Sequence, residues 1–217
     1  MKNTPFIAVT SQPVPYHADT TAIFNTLCQQ NSNSLLLDSA EIGSKNSLQS
    51  LILINAAVKI TCLGNQVTFR ALNANGKQVL NEIHPVLSQL GTVSAINFEN
   101  EFSVQFAPLD NQLDEDSKLQ AATIFDGLRV ISNHYQHSST PVFLGGLFAY
   151  DLVANFIPMQ GVALKDDGIN CPDYSFYLAE NLITIDHQSQ QATLKSFCFS
   201  QEEQVEVAKT ALSIAQK

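Results

Sequence analysis

Between residues 51 and 71 the chain steps between apolar and polar side chains with a period of two. Val58, Ile60 and Cys62 alternate with Lys59 and Thr61, Gly64-Asn65 interrupts, and Val67, Phe69 and Ala71 alternate with Thr68 and Arg70. Laid on a helix, that pattern would scatter its apolar residues around the axis; laid on a strand, it puts them all on one face. The segment therefore predicts an antiparallel meander that starts at 51–55 and turns at Gly64-Asn65. Asn73-Ala74-Asn75-Gly76 has the composition of a turn that closes it.

The remaining elements follow from the same test. A strand is expected at 6–11, ended by Ser11-Gln12-Pro13, and then a helix capped by Asp19 or Thr20 with Ile23, Phe24, Leu27 and Cys28 on one face. Leu35-Leu36-Leu37 suits a short buried strand that runs into an aperiodic loop at 38–44. A helical pattern over 77–89 is interrupted by Pro85, and 92–107 holds two strand-like runs. One long helix is predicted from the acidic start Asp114-Glu115-Asp116 through Leu119, Ala122, Phe125, Leu128, Ile131 and Tyr135. Strands follow at 142–150, 174–180, 182–186 and 192–199, the last two joined at 187–190. Ser200-Gln201-Glu202-Glu203 reads as a capping box for a final helix bearing Val205, Ala208, Ala211, Leu212 and Ala215. That helix reaches the last residue with no Gly or Asn stop, which leads to the expectation that the 217 residues are the N-terminal part of a longer protein.

Composition narrows the function. With 45% apolar residues the chain is not intrinsically disordered. Eleven Lys and Arg against twenty Asp and Glu give a net charge of −9, and no basic cluster is available to displace counterions from phosphate, which argues against nucleic acid. No apolar run is long enough for a membrane span or the core of a leader, so a soluble cytoplasmic protein is expected. Cys28, Cys62, Cys171 and Cys198 form no Cys-x-x-Cys pair and read as reduced, buried thiols. The chain lacks G-x-S-x-G, G-x-x-x-x-G-K, G-x-G-x-x-G and H-E-x-x-H, so no catalytic residue is assigned. His134 and His137 have a zinc-like spacing but no third ligand nearby, and they read as exposed residues at a helix end. Asp114-x-Asp116 and Asp166-Asp167-Gly168 lack the further oxygens of a calcium loop and read as a helix start and a turn.

Two features ask for more. Gly145-Gly146 inside an apolar run weakens a strand unless something approaches too closely for a side chain, and close packing is the simpler cause, a ligand the other. Asp38-Ser39 places a carboxylate and a hydroxyl at the end of a buried strand. Beside apolar walls such a pair can hold an amino-acid ammonium group; it can equally serve only its own loop backbone.

The segment Leu35-Leu36-Leu37-Asp38-Ser39-Ala40-Glu41-Ile42 closely resembles the L-L-L-E-S-A-E-I element of anthranilate synthase component I. Further matching elements follow in order: Ile60-Thr61-Cys62-Leu63-Gly64, Leu113-Asp114-Glu115-Asp116, Phe125-Asp126, and Phe143-Leu144-Gly145-Gly146-Leu147-Phe148-Ala149-Tyr150-Asp151-Leu152-Val153. Cys171-Pro172-Asp173-Tyr174, Phe176-Tyr177-Leu178-Ala179-Glu180 and Ile185-Asp186-His187-Gln188 complete them, and the similarity covers residues 7–200. The G-G-x-x-x-Y-D and I-D-H-Q elements are shared with aminodeoxychorismate synthase component I, whereas L-D-S-A-E-I and C-P-D-Y point to the anthranilate branch.

The resemblance implies an α/β (α+β) fold of antiparallel sheets packed face to face with flanking helices, and a single N-terminal regulatory domain over 1–217 that stops short of the catalytic part. It implies an enzyme that makes anthranilate and pyruvate from chorismate and glutamine-derived ammonia, with Mg2+, beside a glutamine amidotransferase subunit (component II). In that family the chorismate and magnesium residues lie beyond the stretch matched here. Leu37, Asp38 and Ser39 match positions that contact L-tryptophan, the feedback inhibitor. Asp38 replaces the usual Glu, one methylene shorter, and Gln49 stands where close relatives carry Lys. The sister aminodeoxychorismate synthase and a free-standing amino-acid-binding module are the alternatives.

Overall fold

Two long strands organise the structure, a computed structural model that describes residues 5–29, 31–38, 48–97, 100–108, 114–136, 140–155 and 171–216. They are β3 (Gln49–Leu63) and β8 (Tyr174–Asp186), paired antiparallel along nearly their whole length. Around them lie β1 (Ala8–Val14), β2 (Leu35–Asp38), β4 (Gln66–Ala71), β5 (Thr92–Asn97), β6 (Glu101–Gln105), β7 (Leu144–Phe148) and β9 (Gln191–Cys198). The helices are α1 (Thr20–Cys28), α2 (Ala74–Leu87), α3 (Glu115–Gln120), α4 (Asp126–His134) and α5 (Gln204–Ala215), with a 3-10 turn at Tyr150–Asn155. No helix is long and apolar enough to cross a membrane among the described residues.

Each long strand changes its outer neighbour halfway. The first part of β3 is flanked by β2 and its second part by β4, while β8 is flanked first by β7 and then by β9. One half of the sheet is therefore β2-β3-β8-β9-β1 and the other is β7-β8-β3-β4-β6-β5, with β3 and β8 common to both. Register irregularities from Leu53 to Val58 fall at the changeover, where bulges add twist and bend the strand. Leu53, Leu182 and Phe197 from one half join Ile60, Phe69 and Phe102 from the other in a single core covered by α2 and α4. The antiparallel sheets and flanking helices expected from sequence are thus two halves of one curled sheet. On the reverse face Ile52, Ile54, Ile183 and Leu194 pack under α1 and α5, so residues 52–54 are buried on both faces and carry no polar alternation.

Several local expectations are corrected. β1 runs through Pro13 to Val14, because an edge strand leaves one side of its backbone unpaired and tolerates the missing N–H. Asn73 does not close a turn but caps α2, accepting the Gly76 N–H at 2.9 Å. A side chain at Gly76 is excluded, since its Cβ would lie 1.9 Å from the Ala57 carbonyl oxygen. Pro85 lies in the last turn of α2 and does not end it. The single helix expected from 114 to 135 is two: α3, capped by Asp114, ends at Gln120, and Asp126 accepts the Thr123 N–H at 2.7 Å to open α4. The strands expected at 174–180 and 182–186 are one, β8. The Ser200 capping box does not form; Glu203 N–H donates to the Ser200 carbonyl, and α5 starts at Gln204. Cys28, Cys62 and Cys198 are buried as expected, but Cys171 is exposed.

The junction of α2 with the shared strands holds a buried acid. Glu180 is 6% exposed, and its Oε2 accepts from Asn73 Nδ2 at 2.8 Å and Asn75 Nδ2 at 2.9 Å. Burial pushes its carboxyl above the ordinary range; the two amides oppose this and the Glu203 charge adds to it. With the folded value above the unfolded one, the folded state binds the extra proton between them. The resulting stability is complete below the unfolded value, about 4.3, and is lost as pH rises through the folded value. Glu180→Gln, which mimics the neutral acid, is expected to raise the melting temperature near neutral pH. The gain is about 1.4 kcal/mol for each unit of elevation, vanishing toward pH 4. Parallel melting curves of both proteins from pH 4 to 8 check it; a Gln variant less stable throughout would contradict it.

Candidate functional site

The strand predicted at Leu35-Leu36-Leu37 forms as β2 but is not buried as expected: it pairs on one side only, with the start of β3, so its leucines are half-buried or exposed, with Leu37 opposite Leu51 and Asp38 opposite Ser50. Cross-strand partners share a face, so Asp38 and Ser50 project to the same side. Beside them an open concavity of about 500 Å³ is lined by Leu36, Leu37, Asp38, Gln49 and Leu51. Leu37 is 41% exposed, an apolar side chain left in water at the end of a strand, and Asp38 is exposed next to it. Ser39 lies outside the described residues.

Behind Asp38 a line of hydrogen bonds runs inward. Ser50 Oγ donates to Asp38 Oδ1 at 2.5 Å and lies 2.8 Å from His187 Nε2, and Tyr16 Oη lies 3.2 Å from His187 Nδ1. Ser50 is completely buried. His187 sits in the turn between β8 and β9, where Asp186 Oδ1 accepts the Gln188 and Ser189 N–H groups at 2.9 and 3.1 Å. Those bonds hold the exposed Asp186 carboxyl below its usual range, those of Ser189 first. The His187 N–H donates to the Leu48 carbonyl at 2.9 Å, and the Tyr16 and His187 rings meet edge to face at 5.9 Å.

A serine, a histidine and an aspartate in contact invite comparison with a hydrolytic triad, but the order is wrong. In a triad the histidine stands between the other two and takes the serine proton. Here the serine stands in the middle, gives its only proton to the carboxylate, and is closed to solvent. The arrangement presents a carboxylate; it does not activate a nucleophile. Its outer face offers a negative charge beside leucine walls, a setting for a small ligand with an ammonium group.

The other sequence candidates resolve differently. His134 ends α4, as expected, but is half-buried rather than exposed: its Nε2 lies 2.9 Å from Glu82 Oε2, which also accepts the Tyr135 hydroxyl at 2.9 Å. His137, Asp166, Asp167 and Gly168 lie outside the described residues. Asp114 is a helix cap, as expected. No three His, Cys, Asp or Glu side chains come together to hold a metal among the described residues. The glycine pair is explained by packing: a Cβ on Gly146 would lie 2.1 Å from the Ser175 carbonyl oxygen on β8. Sequence reasoning missed Tyr16, Ser50 and His187 as companions of Asp38. The I-D-H-Q element did mark the turn that carries His187, but Ser50 is 137 positions away from it.

No family model matches the chain. It is 85% identical over 212 residues to anthranilate synthase component 1 of Haemophilus influenzae, covering 98% of this chain and 41% of that protein. It is 45% identical over 202 residues to the protein of the same name from Vibrio cholerae, covering 92% and 38%. With that from Escherichia coli K12 the identity is 37% over 199 residues, covering 90% and 37%. The chain thus spans about two fifths of the length of these relatives.

Proposed function

We propose, on the premise that this chain is homologous to the N-terminal part of anthranilate synthase component 1, that it is the regulatory region of such an enzyme and holds L-tryptophan beside Asp38. The observation that carries the reading is the Asp38 carboxylate at the mouth of a concavity walled by Leu36, Leu37 and Leu51. Its volume of about 500 Å³ is within the usual range for small-molecule sites. The ligand's ammonium pairs with the carboxylate, the indole covers the leucines, and the Gln49 amide donates to the ligand's carboxylate without supplying the charge of a lysine. Occupancy then inhibits by favouring whichever state of the whole enzyme binds tryptophan more tightly.

On this reading the conversion of chorismate and ammonia to anthranilate and pyruvate, its magnesium and the contact with the amidotransferase component II belong to the part of the enzyme outside the matched stretch. The relatives are more than twice as long as this chain, and the donor set of a metal is not assembled among the described residues.

The test is to assay anthranilate fluorescence from chorismate, ammonia and magnesium with the purified 217-residue chain and with the complete enzyme. The chain alone is expected to give no turnover, while the complete enzyme turns over and is inhibited by tryptophan. Turnover by the chain comparable to that of the complete enzyme would overturn the division of labour, and a complete enzyme indifferent to tryptophan would overturn the regulatory role.

A further inference from the structure

We propose that Ser50, His187 and Tyr16 form a relay that holds the Asp38 carboxylate with Oδ1 occupied and Oδ2 turned to the ligand's ammonium group. Residues that never touch the ligand would then set its affinity. The inference rests on the reading of Asp38 as the ammonium partner and goes beyond it by naming what positions that carboxylate.

The first two donor directions follow from chemistry. An ionised carboxylate only accepts, so the proton in the Ser50–Asp38 bond is the serine's. A hydroxyl has one proton, so the contact at 2.8 Å requires His187 Nε2 to carry a hydrogen and donate to Ser50 Oγ. With one proton on the ring, Nδ1 is left to accept from the Tyr16 hydroxyl, 3.2 Å away; with two, Nδ1 donates to it instead. With the singly protonated ring, three donors in series point toward Asp38, and along this part-buried line, with Ser50 buried at its centre, each bond polarises the next.

The four groups come from four places in the chain: the segment after β1, β2, β3 and the β8–β9 turn. An aspartate at the exposed end of a four-residue strand would otherwise rotate through several rotamers, and fixing it on binding would weaken the ligand. The buried Ser50 hydroxyl removes that freedom beforehand. His187 is in turn fixed through its backbone, its ring contact with Tyr16 and the Asp186 turn.

The relay is tested in the complete enzyme by tryptophan inhibition, each variant referred to its own uninhibited rate, and by the imidazole nitrogen resonances of His187. Ser50→Ala is expected to raise the inhibition constant about tenfold, the scale of one charge-assisted hydrogen bond, and to release the Nε2–H tautomer. His187→Leu should raise it about three- to tenfold. His187→Gln, whose amide N–H still donates to Ser50, should restore most of the loss. If Asp38→Asn leaves inhibition unchanged, the tryptophan reading of the site fails and the relay's purpose with it. If Asp38→Asn weakens inhibition while Ser50→Ala and His187→Leu behave as wild type, Asp38 acts unaided and the relay alone is overturned. Should His187→Leu not fold, Tyr16→Phe decides: a two- to threefold weakening with a shifted His187 tautomer signal supports the relay, and an unmoved signal refutes it.

Discussion

Replacing Gly146 by alanine is expected to cost about 3 kcal/mol or more, at the upper end of what overpacking does, and to lower the melting temperature by about 10 °C. Its Cβ would stand 2.1 Å from the Ser175 carbonyl oxygen and 2.6 Å from the Phe176 Cα, both backbone atoms of a strand that is itself locked between β7 and β3. Neither can move aside as a flexible side chain would, so β7 must leave β8. Gly64→Ala makes the control. That residue has φ +57° but open space around it, so only the left-handed backbone is penalised, at about 1–2 kcal/mol. Gly64→Asn should recover part of that loss and Gly146→Asn none. Chemical denaturation of the four variants separates the two causes, and a Gly146→Ala protein as stable as wild type would mean that β7 is not held where the structure has it.

The second large effect concerns the ligand. On the proposed reading of the site, Asp38→Lys in the complete enzyme is expected to raise the tryptophan inhibition constant ten- to a hundredfold at least, since it would remove a charge-assisted hydrogen bond and set a cation against the ligand's ammonium. Asp38→Glu separates contact from mere proximity. The longer carboxylate, the residue usual in the family, should preserve or tighten inhibition if it meets the ligand, even as its bond from Ser50 is displaced. Titration of anthranilate formation with tryptophan measures both. Inhibition curves that superimpose on wild type for both variants, with folded proteins, would remove Asp38 from the site.

What could be read from sequence was decided locally. The period-two run of β3 and β4 and the Asp19 cap, which accepts the Ala22 N–H at 2.9 Å, depend on neighbours a few positions away. The break between α3 and α4 is not legible locally because it is settled from afar: the Tyr174 hydroxyl, 50 positions on, donates to the Ile124 carbonyl at 2.7 Å. Pro13 looked like a strand end because nothing local says that β1 is an edge. The same divide runs through the site. Asp38 stood out as a charge at the end of three leucines, whereas Ser50 is an ordinary serine in an apolar stretch until the β8–β9 turn delivers His187 to it.

Because β3 and β8 belong to both halves of the sheet, the structure has no seam along which one half can open while the other stays closed. Partial opening is confined to strands that pair on one side only, β1, β2, β5 and β7, and their amides should lose protection first. The hydrogen bonds between β3 and β8 should break only with global unfolding. A ligand held at the β2–β3 end, as proposed, would therefore also guard the far end near Tyr174, which it never touches.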